Sequence, residues 1–412
     1  MMQRKKMIMA ALAVLLPFSG WAESYDLPSL ERVALEQSRV VMAGRDRLFA
    51  ARSGRVSAAA WPNPEVEYLS GRQQARGLGG ASGDARSYAL TQPLDVPWLR
   101  QPRIDAAEAQ VRAAEADSQA FTADYLARLR LRYFDLLRRE AELNNAREDA
   151  QLMEGMRSRI AKRVEQGESA RFELIKAEAE MLNAQKVAQV AGFRVAQARS
   201  QLRQLVGEAL PADFSVSGSL RQLPTLPRNE QLKDDIQQAN PELVRARAET
   251  LRAERQLALE KAQRWPRFAL KAGVDEDPDV RTRRFGVVVN VPLWDRRVGP
   301  VAEAEAQLSR ARNELAAHEF GLAQQLEVAF QQYEIAQAQV KALEGGIVRQ
   351  AENALQVAEA AYRFGERGYI EVLDAQRVRR AARVELIAAR HEVAAAWVEI
   401  ERLRALPQEN KP

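Results

Sequence analysis

From Pro266 to Val274 the chain alternates residue by residue. Phe268, Leu270, Ala272 and Val274 fall on one side, and Arg267, Ala269, Lys271 and Gly273 on the other. Arg284–Val291 alternates again, with Phe285, Val287, Val289 and Val291 on one face. Period-two alternation with one apolar face predicts half-buried strands, and the acidic stretch Asp275–Thr282 with Pro278 predicts the turn between them. A fainter version comes earlier, in Glu65–Leu69 and Ser87–Leu94 around the small-residue loop Gly77–Gly83. Elsewhere the period lengthens to three and four. Leu126, Leu129, Tyr133 and Leu136, then Met153, Met156, Ile160 and Val164, keep that spacing. So do Leu322, Leu326, Phe330 and Tyr333, then Val340, Leu343 and Ile347. Such stripes predict long helices packed as antiparallel coiled coils. Leu30–Ala60 predicts a shorter helix stopped by Trp61-Pro62-Asn63-Pro64.

Prolines frame the long helices. Arg103–Leu210 and Val301–Leu406 contain none, and each opens after one proline and closes on another. Proline costs about 3 kcal/mol inside a helix, so its absence permits very long rods. The rods break at Gln166-Gly167-Glu168-Ser169-Ala170 and at Gly365-Glu366-Arg367-Gly368. These breaks are part of a duplication. Trp61-Pro62 recurs as Trp265-Pro266, Ala107-Glu108-Ala109-Gln110 as Ala304-Glu305-Ala306-Gln307, and Gly167-Glu168 as Gly365-Glu366.

The expected organisation follows. Residues 1–22 form a signal peptide, 23–211 a first repeat and 212–240 a connecting equatorial segment. A second repeat takes 241–406, and 407–412 is a flexible tail. The strands fall near 64–71, 86–94, 266–274 and 284–292, and the long helices over 103–163, 170–207, 301–363 and 369–406.

An apolar strand face of this length also suits a tilted strand through a bilayer. Four strands cannot close a barrel, and an open sheet edge in lipid leaves backbone groups unpaired at several kcal/mol each. If the strands span a membrane, copies of the chain must complete the sheet, as a dimer of eight strands or a trimer of twelve. Two hairpins packed on a soluble helical body is the other reading of the same alternation.

Composition narrows the compartment. Arg4-Lys5-Lys6, the apolar run Met7–Leu16 and the small residues of Gly20-Trp21-Ala22 read as a secretory signal cleaved after Ala22. The chain has no cysteine, which removes disulfides, thiolate metal sites and lipidation of a new N-terminal cysteine. Its formal charge of +5 falls to about +2 without the signal's basic residues, and acids and bases interleave along the helices. Nucleic-acid binding requires a one-sided basic face, which this interleaving does not supply. The two histidines, His318 and His391, sit in helical seams and the methionines do not cluster, so neither a catalytic constellation nor a metal or cofactor site is expected.

The order helix, strand hairpin, long helix, glycine turn and return helix, written twice behind a signal, resembles the TolC-type outer-membrane efflux family. The residues that carry the resemblance are Ala239-Asn240-Pro241-Glu242-Leu243, Pro292-Leu293-Trp294-Asp295 with Gly299, Leu174-Ile175-Lys176-Ala177 and Val372-Leu373-Asp374-Ala375. Trp61-Pro62-Asn63-Pro64 and Pro292–Gly299 look closest to its cobalt–zinc–cadmium resistance branch. The resemblance covers essentially the whole mature chain. It implies a mainly α fold with a small β part: coiled-coil helices forming an α-barrel, and four strands per chain completing a twelve-stranded transmembrane barrel in a homotrimer. It implies a location in the outer membrane, in contact with its lipid, with a long periplasmic extension. It further implies a passive, non-enzymatic exit duct in a tripartite system. A periplasmic adaptor and an inner-membrane pump of the resistance–nodulation–division type would be its partners, and heavy-metal cations its cargo. Multidrug efflux and type I protein secretion use ducts of the same shape, and a periplasmic coiled-coil adaptor or scaffold is the alternative of another class.

Site residues follow by position. Gly167, Glu168, Gly365, Glu366 and Gly368 form the tip turns, where the resemblance implies adaptor docking. Glycine there also serves a plain need for positive φ. Glu371 and Asp374, three residues apart on one helix face, match a pore constriction that would favour cations. Acids near a helix N-terminus are also expected from its dipole alone. Tyr362 and Arg367 match positions that tie the closed tip together, with Glu173 as partner.

Overall fold

A computed structural model describes residues 24–404, except 75, 78–80, 222, 224–225, 227–235 and 237. The signal and the tail therefore lie outside the described residues, as does much of the connecting segment. A short parallel pair, β1 (Ser24–Tyr25) with β4 (Ser215–Val216), joins the N-terminus to that segment. α1 (Leu27–Gln37) and α2 (Arg39–Ala59) replace the single helix expected over Leu30–Ala60. The break falls at the extended Ser38, whose backbone N–H still bonds to Ala34.

Two hairpins, β2 (Glu65–Gln73) with β3 (Gly83–Pro93) and β5 (Arg267–Glu276) with β6 (Arg281–Asn290), form one antiparallel sheet in the order β2-β3-β5-β6. The register sets Leu90 opposite both Val66 and Ala272, and Leu270 opposite Val287, so the apolar faces of all four strands coincide. The other face carries Glu67 bonded to Lys271 at 3.1 Å, and Asp275 bonded to Ser87 at 2.6 Å and to Arg284 at 3.1 Å. The strands run further toward the hairpin turns than the alternation suggested, because polar cross-strand pairs such as Glu276–Arg281 continue the ladder.

α3 (Pro97–Glu165) is an unbroken rod of 69 residues. It begins before Pro102, which lies inside it rather than ahead of it. Proline that close to a helix start forfeits only one early hydrogen bond, to Trp98. α4 (Arg171–Val206) returns along it, and α5 (Pro241–Ala262) opens the second half. Asn240 caps α5, accepting from Glu242 N at 2.9 Å and Leu243 N at 3.1 Å while donating to Leu403 O at 2.6 Å. This explains the Asn-Pro-Glu-Leu sequence: cap, first-turn proline, and a glutamate that receives Arg402 at 2.9 Å.

The helix expected over 301–363 is divided. α6 (Val298–Ala342) passes through a π turn, Leu343–Ile347, into α7 (Val348–Arg363), and α8 (Tyr369–Arg404) returns. The extra residue rotates the seam by one position. Burial passes from Leu326, Ala329, Ala336 and Leu343 to Ala351, Leu355 and Tyr362, while Ile347, expected in the seam, is 50% exposed. A π turn inserts one residue per turn, which accounts for the slip.

Helices lie side by side. Next to the sheet their order is α2-α3-α5-α6, and toward the glycine turns it is α4-α3-α8 with α6 and α7. Ala106, Ala109, Ala113, Ala116 and Ala120 line the α3 face nearer the sheet and let neighbouring helices approach closely. Around the equator Leu129, Leu136, Leu202, Phe214 and Ala394 form the largest apolar core.

Candidate functional site

Both helical hairpins end in the same backbone motif. Gly167 and Gly365 each have φ of 76°. Glu168 N bonds Arg163 O at 2.8 Å and Gly167 N bonds Val164 O at 3.1 Å. Glu366 N bonds Ala361 O at 2.9 Å and Gly365 N bonds Tyr362 O at 3.1 Å. This is the Schellman closure, in which glycine takes the left-handed position without a Cβ penalty. Glu168, Glu366 and Gly368 stand exposed around the two turns.

Side chains then join hairpin to hairpin. Tyr362 is buried, and its hydroxyl donates to Glu173 at 3.4 Å, a long bond. Arg163 donates to the Tyr362 carbonyl at 3.1 Å, and its guanidinium lies 4.9 Å from the centre of the Tyr362 ring. Burial pushes the Tyr362 hydroxyl above its ordinary pKa. Tyr369, at the start of α8, is 1% exposed, and burial pushes it up to about 12.

Arg367 does not join this group. Its guanidinium reaches forward to Glu371 of the same hairpin at 3.0 Å, an exposed i,i+4 pair. A flexible arginine two residues before the helix reaches its first-turn acid more readily than a carboxylate on the other hairpin. Such exposed pairs contribute about 0.3–0.5 kcal/mol. Glu371 is therefore engaged locally, while Asp374 stands exposed with Arg377 one turn along. In the first hairpin the position equivalent to Asp374 is Lys176, whose ammonium sits 5.0 Å from the Phe172 ring.

Higher on the rods lies a polar group that sequence reasoning missed. Asp149 of α3 is 3% exposed and accepts from Gln376 at 3.0 Å and from Arg379, both on α8. Arg383 spans the same junction, reaching Glu148 at 2.8 Å and Glu352 at 2.7 Å, and Arg377 bonds to Glu180. The available signal was a pair of polar residues, Asn145 and Asp149, at helical spacing inside an otherwise apolar stripe.

Large apolar residues remain exposed along both sides of the helical layer. On the α2 and α4 side these include Phe49 (72%), Leu182 (60%) and Phe193 (67%). On the α6 and α7 side they include Phe320 (73%), Val357 (69%) and Phe364 (79%). The sheet ends on the same two sides, at β2 and β6. Four tryptophans mark the strand bases: Trp61 before β2, Trp98 after β3, Trp265 before β5 and Trp294 after β6, all at least 49% exposed. Among the described residues no helix is long and apolar enough to cross a membrane.

The family described as outer membrane efflux protein matches residues 30–208 and 232–405. A cobalt-zinc-cadmium resistance protein, CzcC, from Cupriavidus metallidurans is 25% identical over 88% of this chain and 85% of its own length. A nickel-cobalt-cadmium resistance protein, NccC, from Alcaligenes xylosoxydans xylosoxydans is 26% identical over 74% of this chain and 71% of its own. Among solved structures CusC, described as undergoing transmembrane channel formation, superposes with a TM-score of 0.80 at 18% identity, covering 98% of both chains.

Proposed function

The chain belongs to the outer membrane efflux protein family, and from that premise we propose that three copies close into one passive export duct through the outer membrane. One observation carries this. The sheet, the helices beside it and the helices near the tip all leave their open sides in the same two places, at β2, α2 and α4 and at β6, α6 and α7. A second copy placed head to tail covers unpaired strand edge and exposed apolar helix together, and rotation closes the ring. The coincident apolar strand faces then meet lipid, the charged face lines the channel, and the tryptophans mark the membrane boundary.

The glycine turns form the far tip, where an adaptor docks and links the duct to an inner-membrane pump. The contacts of Tyr362, Glu173 and Arg163 hold that tip shut, and docking displaces them. Three copies of Glu371 and Asp374 set a ring of acids that favours cations. Divalent metal cations are the cargo this reading favours, supported by the metal-resistance names of the similar proteins. The duct performs no chemistry on its cargo, and the driving energy comes from the pump.

The test is conductance of the purified assembly in planar bilayers, with its mass measured in detergent. A mass of three chains and cation-preferring channels are expected. Glu371→Ala with Asp374→Ala should weaken that preference, and unchanged selectivity would remove the ring. A monomer that stays water-soluble would remove the duct itself. Loss of cobalt, zinc and cadmium tolerance on deletion of the gene, restored by the intact gene, tests the cargo.

A further inference from the structure

The two strand hairpins meet the helices differently. At the first base, Asp95 receives both Arg100 at 2.9 Å and Arg103 at 2.7 Å, and its side chain is only 3% exposed. The Arg100 guanidinium also lies 4.7 Å over the Trp61 ring. Both arginines named there share that one carboxylate, and Arg103 also donates to the Ala58 carbonyl at 2.7 Å.

At the second base the equivalent aspartate is spent on backbone. Asp295 accepts the N–H of Arg297 at 2.9 Å, shaping the turn at which Arg297 takes φ of 53°. The Arg297 guanidinium bonds Glu260 at 3.1 Å and so pins residues 294–297 against the end of α5. Lys261 is satisfied by Glu305 at 3.1 Å. This leaves Arg264 and Arg296 exposed, with no side-chain hydrogen bond or ion pair among the described residues. Beside them stand Trp265 at 63% and Trp294 at 94% exposure. The ladder ends at Arg267 opposite Asn290, and beyond its end the Arg297–Glu260 pair keeps the two flanking segments together.

Tryptophan seeks the headgroup level of a bilayer, where one end of the ring is dry and the other wet. A guanidinium at that depth, with no carboxylate to meet, presents a planar fork that fits two oxygens of a phosphate. We propose that the base of the second strand hairpin is a binding site for the phosphate of an anionic phospholipid. Arg264 and Arg296 are the donors, and Trp265 and Trp294 flank the boundary between glycerol and acyl chains. The site rests on the outer-membrane reading above. It gives each copy one lipid-anchored hairpin and one whose arginines are held on a buried aspartate of the chain itself.

Native mass spectrometry of delipidated assembly, titrated with phosphatidylglycerol or phosphatidylethanolamine, tests it. The wild type should retain phosphatidylglycerol preferentially. Arg264→Gln with Arg296→Gln should reduce that retention roughly tenfold or more, since each arginine near an anionic surface contributes appreciably. Arg100→Gln should leave retention unchanged, and Arg264→Lys with Arg296→Lys should keep part of it. Equal retention by wild type and the glutamine double variant overturns the site. So does loss of assembly mass with lipid retention intact, because the arginines would then serve a neighbouring copy. Circular dichroism and bilayer insertion of the double variant should match wild type. Failure of the wild type itself to insert would refute the outer-membrane reading instead.

Discussion

The two helical hairpins share a backbone turn and differ in almost everything built on it. Hairpin one is an unbroken rod, α3, with its return helix α4. Hairpin two reaches its turn through α6, a π turn and α7. Gly167 and Gly365 are needed by their left-handed φ, whereas Gly345 and Gly346 sit within the π turn with nothing within 4 Å of an added Cβ. Gly155 of α3 and Gly192 of α4 are equally unconstrained, so the difference is that Gly345 and Gly346 fall together where the helical bonding is already interrupted. Ion pairs from α8 brace the interrupted stretch, Arg390 to Glu344 within it at 2.6 Å and Arg383 to Glu352 just beyond it at 2.7 Å. The same turn motif therefore ends one arm reached by an uninterrupted helix and one reached through a π turn.

Breaking the tie between the arms should have the largest effect. Arg379→Met leaves Asp149 buried with Gln376 alone, and removing one partner of a buried pair costs about 3–5 kcal/mol. Unfolding of the detergent-solubilised protein by denaturant should show that loss, with part recovered by Asp149→Leu in the same chain. A change under about 1 kcal/mol would mean the arms are not joined there.

Alkaline pH should come next. The unfolded chain releases the Tyr369 proton near 10, whereas the folded chain holds it to about 12. The folded state thus binds more protons in that window. The contribution is complete below pH 10 and is lost as pH rises through 12, on the order of 2 kcal/mol. Tyr369→Phe should flatten the curve over this range, and an unchanged curve would refute the assignment.

Glycine substitutions separate the two arms directly. Gly345→Ala with Gly346→Ala should stabilise the chain by about 1 kcal/mol per site, because helical propensity rises and the space is open. The same pair should also reduce channel opening frequency if the π turn is used in opening. Gly167→Ala should instead destabilise by about 1 kcal/mol through strain at positive φ. Equal signs at the two places would erase the contrast.

The smallest effect belongs to Tyr362→Phe. Its bond to Glu173 is long, so stability should fall by about 0.5–1 kcal/mol. Conductance should rise by more than in Arg367→Ala, whose guanidinium is paired within its own hairpin. A larger gain from Arg367→Ala would reverse that assignment.

Much of this was legible in the residues. Phe285, Val287 and Val289 against Arg284 and Gly286 declared a strand with one apolar face. The Leu129, Tyr133 and Leu136 spacing declared a seam, and Gly167 and Gly365 declared turns. Those readings succeed because period and backbone freedom are local, fixed by chemistry within a few neighbours. What Arg367 bonds to, where Ile347 points and which carboxylate Arg379 meets were not legible in this way. A long charged side chain chooses among whatever the fold brings within reach, and one inserted residue at 343–347 turns every later side chain of that helix. The sequence alone determined the elements and their duplication. Only the tertiary structure decided that sheet and helices leave their open sides in the same two places, because that depends on the order in which distant segments come to lie side by side.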